Sequence, residues 1–202
     1  HITHERMIVF FRILVIGTII CFNVVNGNVD LSTNQPTRSS ALYDSTTPSS
    51  KANDGDTGRT HPNQFHSACN AATYKTNVWW GVELKKTVTN PRVTFFARDC
   101  CQTNYNSALE VWIGNQWPSD LSNWVQNDAK KCADITSIEK SSTKQVTCEE
   151  TGKYLFIRPS QSAGGTCMDF PEVRVEELAE TISTICTSMK KTQEADGYVY
   201  SC

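Results

Sequence analysis

The chain has 202 residues, 39 % of them hydrophobic and 20 % charged, with 21 acidic and 19 basic side chains and a formal net charge of −2. That balance suits an ordinary globular protein. With no run of Lys or Arg, it excludes a nucleic-acid surface built on bulk positive charge.

The N-terminal segment sets the redox compartment. From Met7 to Gly27 the chain carries Arg12 inside the apolar run Ile8–Val25 and closes on Val24-Val25-Asn26-Gly27. This reads as a secretory signal peptide cut after Gly27, with residues 1–27 as leader and signal. His1–Arg6 would then be translated leader before an initiator Met7. A membrane anchor is the alternative, but the run is near the lower limit of about 17–20 residues for a span. No stop-transfer charge cluster follows it. The expected location is therefore secreted and extracellular. Of nine cysteines, Cys21 leaves with the signal, and Cys69, Cys100, Cys101, Cys132, Cys148, Cys167, Cys186 and Cys202 remain. An even count in an oxidising compartment reads as a disulfide framework, whose connectivity spacing alone does not fix. There is no C-x-x-C and no histidine at finger spacing, so structural zinc is not expected, nor is N-glycosylation without an Asn-x-Ser/Thr acceptor.

In chain order, Ser45–Ser50 is a Thr/Ser-rich exposed loop and Asp54-Gly55 a turn. Trp79 and Trp80 are adjacent, so on a strand they face opposite ways, one into the core and one to a rim. Val93–Phe96 alternates weakly. Leu109–Ile113 and Glu172–Glu176 set apolar residues on one face. Tyr154–Ile157 is a continuous apolar run between Gly152 and Pro159, as for a strand buried on both faces. Turns at Gly114-Asn115, Gly152 and Gly164-Gly165 complete the pattern of an all-β sandwich or barrel over residues 28–176. Beyond it, residues 177–202 form a tail in which Leu178, Ile182 and Ile185-Cys186 recur at helical spacing. The tail reads as a short helix, a linker or an oligomerisation element.

The neighbours Cys100 and Cys101, in Ala97-Arg98-Asp99-Cys100-Cys101, stand out. Adjacent Cα atoms lie about 3.8 Å apart, below the usual disulfide range of about 4.4–6.8 Å. A bond between them closes a strained ring, and such strain marks functional sites. The other reading sends each sulfur to a distant cysteine.

Three segments together carry a family resemblance: Asn77-Val78-Trp79-Trp80-Gly81-Val82-Glu83-Leu84, Arg98-Asp99-Cys100-Cys101 and Leu109-Glu110-Val111-Trp112-Ile113-Gly114. With Asn34–Ser40, Ala52–Asp56 and Pro171–Val175, they resemble an F-type lectin (fucolectin) domain across roughly residues 29–176. The resemblance implies an all-β, discoidin-like, eight-stranded jelly-roll β-sandwich that is disulfide-linked, binds sugars and holds a structural calcium. It implies a Cys100–Cys101 bond and a Cys132–Cys148 bond. It also implies a third disulfide from Cys69, whose usual partner position is occupied here by Pro171, with Cys167, four residues earlier, as the substitute. Cys186 and Cys202 are left to pair with each other or with another chain.

The implied calcium loop maps onto the Lys51 carbonyl, the Asp54 and Asp56 side chains, the Ala68 and Pro171 carbonyls and the Glu172 carboxylate. Such an oxygen set suits Ca2+. The implied sugar grip is altered. The family's histidine falls on Ala71, its first arginine on Ala97 or Arg98, and its second basic residue on Asn104 or Tyr105. Losing two charge-assisted donors at about 1.5–3 kcal/mol each would erase most of a millimolar complex worth about 4 kcal/mol. Standard fucose recognition is therefore not expected. A longer loop between Asp56 and Cys69 carries Arg59, His61, Phe65 and His66. It would deliver His66 or His61 to the ligand with Phe65 as an apolar wall, or leave both histidines as ordinary loop residues.

The expected partners are glycans, fucosylated or related, with membrane contact through surface glycans alone and no nucleic acid. Homo-oligomers through Cys186 or Cys202 remain open. A discoidin-like adhesion module for protein or lipid head groups is the second reading. No hydrolase elbow, His-Glu-x-x-His or cysteine-protease signature supports an enzyme.

Overall fold

A computed structural model describes residues 28–68, 78–100, 105–120, 127–160, 167–178, 190–194 and 197–201. Residues Val29–Glu177 form one compact unit. Its elements are β1 (Val29–Asp30), β2 (Thr37–Ser39), a 3-10 turn (Ser49–Ala52), β3 (Phe65–His66), β4 (Trp80–Thr89) and β5 (Arg92–Phe96). There follow β6 (Ser107–Gly114), β7 (Lys130–Ser137), β8 (Thr143–Thr147), β9 (Thr151–Pro159), β10 (Asp169–Phe170) and β11 (Glu172–Glu177). One sheet runs β2-β4-β9-β6-β7 and the other β1-β11-β5-β8, while β3 and β10 pair separately. The all-β, discoidin-like jelly-roll sandwich expected from the sequence is present, with the two-residue β1 at the edge of the four-stranded sheet.

Alternation builds the core. Trp80, Val82 and Leu84 of β4, Leu155 and Ile157 of β9, and Leu109, Val111 and Ile113 of β6 meet Val93 and Phe95 of β5 and Val173 and Val175 of β11. β9 is central, between β4 and β6. Its alternate residue Phe156 is also buried, on the opposite face of the sheet in a second cluster with Trp79 and Ala129. The apolar run of β9 thus reflects burial on both faces. Neither adjacent tryptophan sits at a rim: both are wholly buried, Trp80 in the main core and Trp79 in the outer cluster. Gly81 makes this possible, since a Cβ there would lie 2.6 Å from Phe156 Cδ1.

Cys132 and Cys148 are bonded, as the resemblance implied. Between Val111 and Trp112 the β6–β7 register slips around Cys132, so Cys132 and Ala133 both pack on the core. The bond links the outer strands of the two sheets. Closing a loop of this length contributes about 3 kcal/mol in the chain-entropy account.

In the tail, β12 (Lys190–Glu194) and β13 (Gly197–Ser201) pair as an antiparallel hairpin. The helical option is therefore corrected for these residues, where the β-formers Tyr198, Val199 and Tyr200 favour a strand. Ile182 and Ile185-Cys186 lie outside the described residues, as do the leader and signal segment 1–27 and Cys202.

Candidate functional site

The short β3–β10 ladder fixes the site. Its register sets Asp169 opposite His66 and Phe170 opposite Phe65. Alternation then sends one pair each way. Phe65 and Phe170 stack in the core, 6.5 Å between centroids. The expectation that Phe65 walls a ligand pocket is therefore corrected: it is wholly buried against Trp80 and Phe170.

His66 and Asp169 form the opposite side of the ladder. His66 Nδ1 lies 2.7 Å from the Ser67 carbonyl oxygen, which can only accept. Nδ1 therefore carries a proton and donates, and Nε2 lies 3.6 Å from Asp169 Oδ2, an ion pair when the ring is protonated. Arg98 Nη1 is ion-paired with Asp169 Oδ2, and Gln64 Nε2 donates to the same oxygen at 3.3 Å. Asp169 is wholly buried and Arg98 nearly so. Burial pushes the Asp169 carboxyl above the ordinary aspartate range, and the charges of Arg98 and His66 pull it down without cancelling that rise. For Arg98, burial works against the charged form, but the Asp169 carboxylate and the Cys100 sulfur outweigh it and hold the guanidinium above its usual value.

Two tyrosines frame this charged group. The Tyr43 ring lies 4.6 Å from the His66 ring, and Tyr105 meets His66 edge-on at 5.5 Å. Arg98 Cζ sits 5.8 Å from the Tyr105 centroid. Tyr43 is 61 % exposed, so it forms the open wall. Its placement comes from pairing of the 41–43 segment with 66–68: Tyr43 N donates to His66 O at 2.9 Å, and Leu42 bridges Ser67. Arg98 is positioned by the loop after β5. Arg59 Nη1 donates to the Ala97 and Ser142 carbonyls, both at 2.9 Å, and Ser141 N donates to Arg98 O at 2.8 Å. Arg59 thus braces the site from behind.

Cys100 carries a free thiol, half-buried beside Arg98, whose Nη2 donates to its sulfur at 3.0 Å. The Cys100–Cys101 ring implied by the resemblance is therefore not closed here. Adjacent Cα spacing opposes that ring, and the Cys100 sulfur already has a charged donor. Cys101, Asn104, Ala71 and Cys69 lie outside the described residues. Cys167 is disulfide-bonded, to a partner outside the described residues.

Of the expected sugar-site residues, the structure unites His66, Arg98 and Cys100. His61 is exposed and stands 3.9 Å from Asp44. Sequence reasoning missed Tyr43, Gln64 and Asp169. Asp169 carried one usable signal: a lone acid just after Cys167 and Met168, before a Phe-Pro-Glu segment already tied to the family pattern.

The second candidate site is the loop after the 3-10 turn. Glu172 is wholly buried; its Oε2 accepts from Gly55 N at 3.2 Å and its Oε1 from Arg174 Nε at 3.4 Å. Burial raises its pKa to about 7, against the hydrogen bond from Gly55 and the charge of Arg174 and with help from Asp54. Asp54 Oδ2 lies 3.3 Å from Lys51 Nζ. Asp54 Oδ1 and Asp56 Oδ1 accept from Asp56 N and Gly58 N, folding the loop on itself. No group of three or more His, Cys, Asp or Glu side chains gathers for a metal among the described residues. What the loop brings together is two neighbouring carboxylates, Asp54 and Glu172, the latter buried with its pKa raised. Carboxylate oxygens are the donors a hard cation such as calcium takes.

The sequence profile of NedA-like, galactose-binding domains, in the F5/F8 type C group, matches residues 51–157. No curated protein matches the sequence. Among solved structures, a Streptococcus pneumoniae fucose binding module superposes with TM-score 0.56 at 20 % identity, over 75 % of this chain and 99 % of its own. A fucolectin from Morone saxatilis (striped bass) serum gives 0.57 at 20 % identity, over 76 % of this chain and 50 % of its own. The family 32 carbohydrate-binding module of C. perfringens NanJ, in complex with galactose, gives 0.53 at 17 % identity, over 74 % of this chain and all of its own.

Proposed function

Because the chain belongs to the NedA-like, galactose-binding family of F5/F8 type C domains, we propose that it is a secreted, calcium-containing glycan-binding protein that captures a sugar against the exposed Tyr43 ring beside His66. The observation that carries this reading is a buried Arg98–Asp169 pair with His66, flanked by two tyrosines and opening at the exposed Tyr43. Aromatic walls suit the apolar face of a pyranose, and His66 Nε2 and the tyrosine hydroxyls supply directional polar partners. Both terminal nitrogens of Arg98 already engage Asp169 and Cys100. That commitment supports a specificity moved away from the family's standard fucose grip. The structural neighbours are glycan-binding modules, including a galactose complex. Extracellular placement is supported by the Cys132–Cys148 bond and the bonded Cys167. Calcium, held by Asp54, Asp56, Glu172 and carbonyls of Lys51, Ala68 and Pro171, would neutralise the buried carboxylate and stiffen the loop.

A glycan array run with and without a calcium chelator tests the whole reading. The expected result is a calcium-dependent signal that Tyr43→Ala and Arg98→Gln both remove. A protein that binds cells but ignores every free glycan would be a protein- or lipid-directed adhesion module instead.

A further inference from the structure

We propose that Asn106 is a positioning residue that locks the acidic base of the glycan site to its Tyr105 wall; the inference rests on the glycan-binding reading above. Asn106 is wholly buried. Its Nδ2 donates to the Asp169 carbonyl at 2.7 Å, and its Oδ1 accepts from the Asp169 N–H at 2.8 Å. The side chain therefore acts as a strand rung, pairing with both backbone groups of one residue. Its backbone does the same on either side: Asn106 N donates to Cys167 O at 2.9 Å, and Ile138 N donates to Asn106 O at 3.1 Å. Tyr105 forms a parallel bridge with Cys167.

Asparagine suits this position for two reasons. Its φ is +52°, in the left-handed region where Asn is among the few tolerated non-glycine residues. Its amide offers a donor and an acceptor to the C=O and N–H of a single residue, which no aliphatic side chain can do. The residue so gripped is Asp169, whose carboxylate meets Arg98, Gln64 and His66, while the residue before Asn106 is the Tyr105 wall. One amide thus sets the distance between the charged floor and one aromatic side. Sites held this way lose affinity when the support loosens even though every contacting side chain remains.

The test uses the full secreted chain and three variants. Asn106→Gly keeps the left-handed backbone and deletes both side-chain bonds. Asn106→Asp keeps the acceptor for Asp169 N–H but sets a carboxylate oxygen against the Asp169 carbonyl, a clash that protonation would turn into a hydrogen bond. Arg98→Gln is the control for the site itself. Each is titrated with the glycan giving the strongest wild-type signal on an array of fucosylated and galactosylated oligosaccharides. Titrations are done below the variant's own unfolding transition, at pH 5 and pH 8. Each variant's pH profile is divided by the wild-type profile, because Asp169, His66, Arg98 and Tyr105 titrate or carry charge nearby.

Folded Asn106→Gly is expected to bind about tenfold more weakly, and Asn106→Asp to bind weakly at pH 8 and to recover toward wild type at pH 5. A purely structural asparagine would lower the unfolding transition and leave both ratios near one. If both variants bind within twofold of wild type at each pH while Arg98→Gln loses binding, the positioning role is wrong and the glycan site stands. If the wild type binds nothing, or Arg98→Gln binds as well as wild type, the site reading fails and this inference with it. Should Asn106→Gly not fold, the two pH values for Asn106→Asp decide.

Discussion

Asp169 and Glu172 are three residues apart and both wholly buried, yet the chain treats them differently. Asp169 meets a buried guanidinium, an amide and a histidine, all supplied by the protein. Glu172 meets one backbone N–H and the Nε of Arg174, whose side chain is 36 % exposed, with a second carboxylate, Asp54, adding to its field. One carboxylate is provided with its cation inside the fold. The other is left under-neutralised, which is the arrangement a cation site needs and a self-sufficient core avoids. The difference separates the end of the sandwich that would read a ligand from the loop that would hold an ion.

The largest effect should come from breaking the Arg98–Asp169 pair. Arg98→Gln leaves the Asp169 carboxylate buried without its ion partner, and removing one member of such a pair costs about 3–5 kcal/mol. Urea unfolding of Arg98→Gln, Asp169→Asn and the double variant would measure the coupling. The double variant should be more stable than the sum of the two single losses implies, and simple additivity would mean that the pair is not energetically linked.

The under-neutralised carboxylate predicts a pH dependence of definite sign. Burial raises Glu172 from 4.5 to about 7 in the folded protein, so between those values the folded state holds a proton that the unfolded state has released. The contribution of Glu172 to the stability of calcium-free protein is full below about pH 4.5 and is lost as the pH rises through about 7. Melting with a chelator should give a transition that falls from pH 5 to pH 8. Calcium at a hundredfold excess over its dissociation constant should add about 2.7 kcal/mol at pH 8. Glu172→Gln should flatten the pH slope and abolish the calcium increment. An unchanged slope in that variant would place the titration elsewhere.

The sandwich was legible because alternation and two-sided burial leave marks in local sequence: Leu109–Ile113, Tyr154–Ile157 and Glu172–Glu176 all lie within the strands found there. The Cys132–Cys148 bond came from resemblance, and Asp54 and Glu172 came from it as well. The sugar end was less legible. Asp169, Gln64, His66, Arg98 and Tyr43 come from four segments that only the β3–β10 register and the loop after β5 bring together. Phe65 and His66 look equivalent in a loop sequence. A two-residue strand makes one core and the other site, because its neighbours Phe170 and Asp169 are paired in register with them. The Cys100–Cys101 ring was implied by the resemblance, whereas in the fold Arg98, two residues earlier, donates to the Cys100 sulfur.

Tyr43→Ala should separate binding from stability. The ring is 61 % exposed, so its loss costs little core packing. Glycan titration should show about tenfold weaker binding, as expected for removing one stacking wall. A glycan affinity unchanged in a folded Tyr43→Ala variant would move the ligand away from this face.

The smallest effect is predicted for His61, and it discriminates between two residues that the sequence offered on equal terms. His61 is solvent-exposed at 48 %, and its closest charged neighbour is Asp44 at 3.9 Å, a surface contact that salt screens. His66 is 5 % exposed, fixed through Nδ1 to Ser67 and clasped by both tyrosines. His61→Ala should leave the unfolding midpoint within experimental error and the glycan titration curve superimposable on wild type. His66→Ala should lower both, because it opens a hole between Tyr43 and Tyr105 and removes the ring that faces Asp169. If the two variants behaved in the reverse order, the ligand would sit on the loop outside Tyr43, and the buried carboxylate pair would be scaffold for that loop.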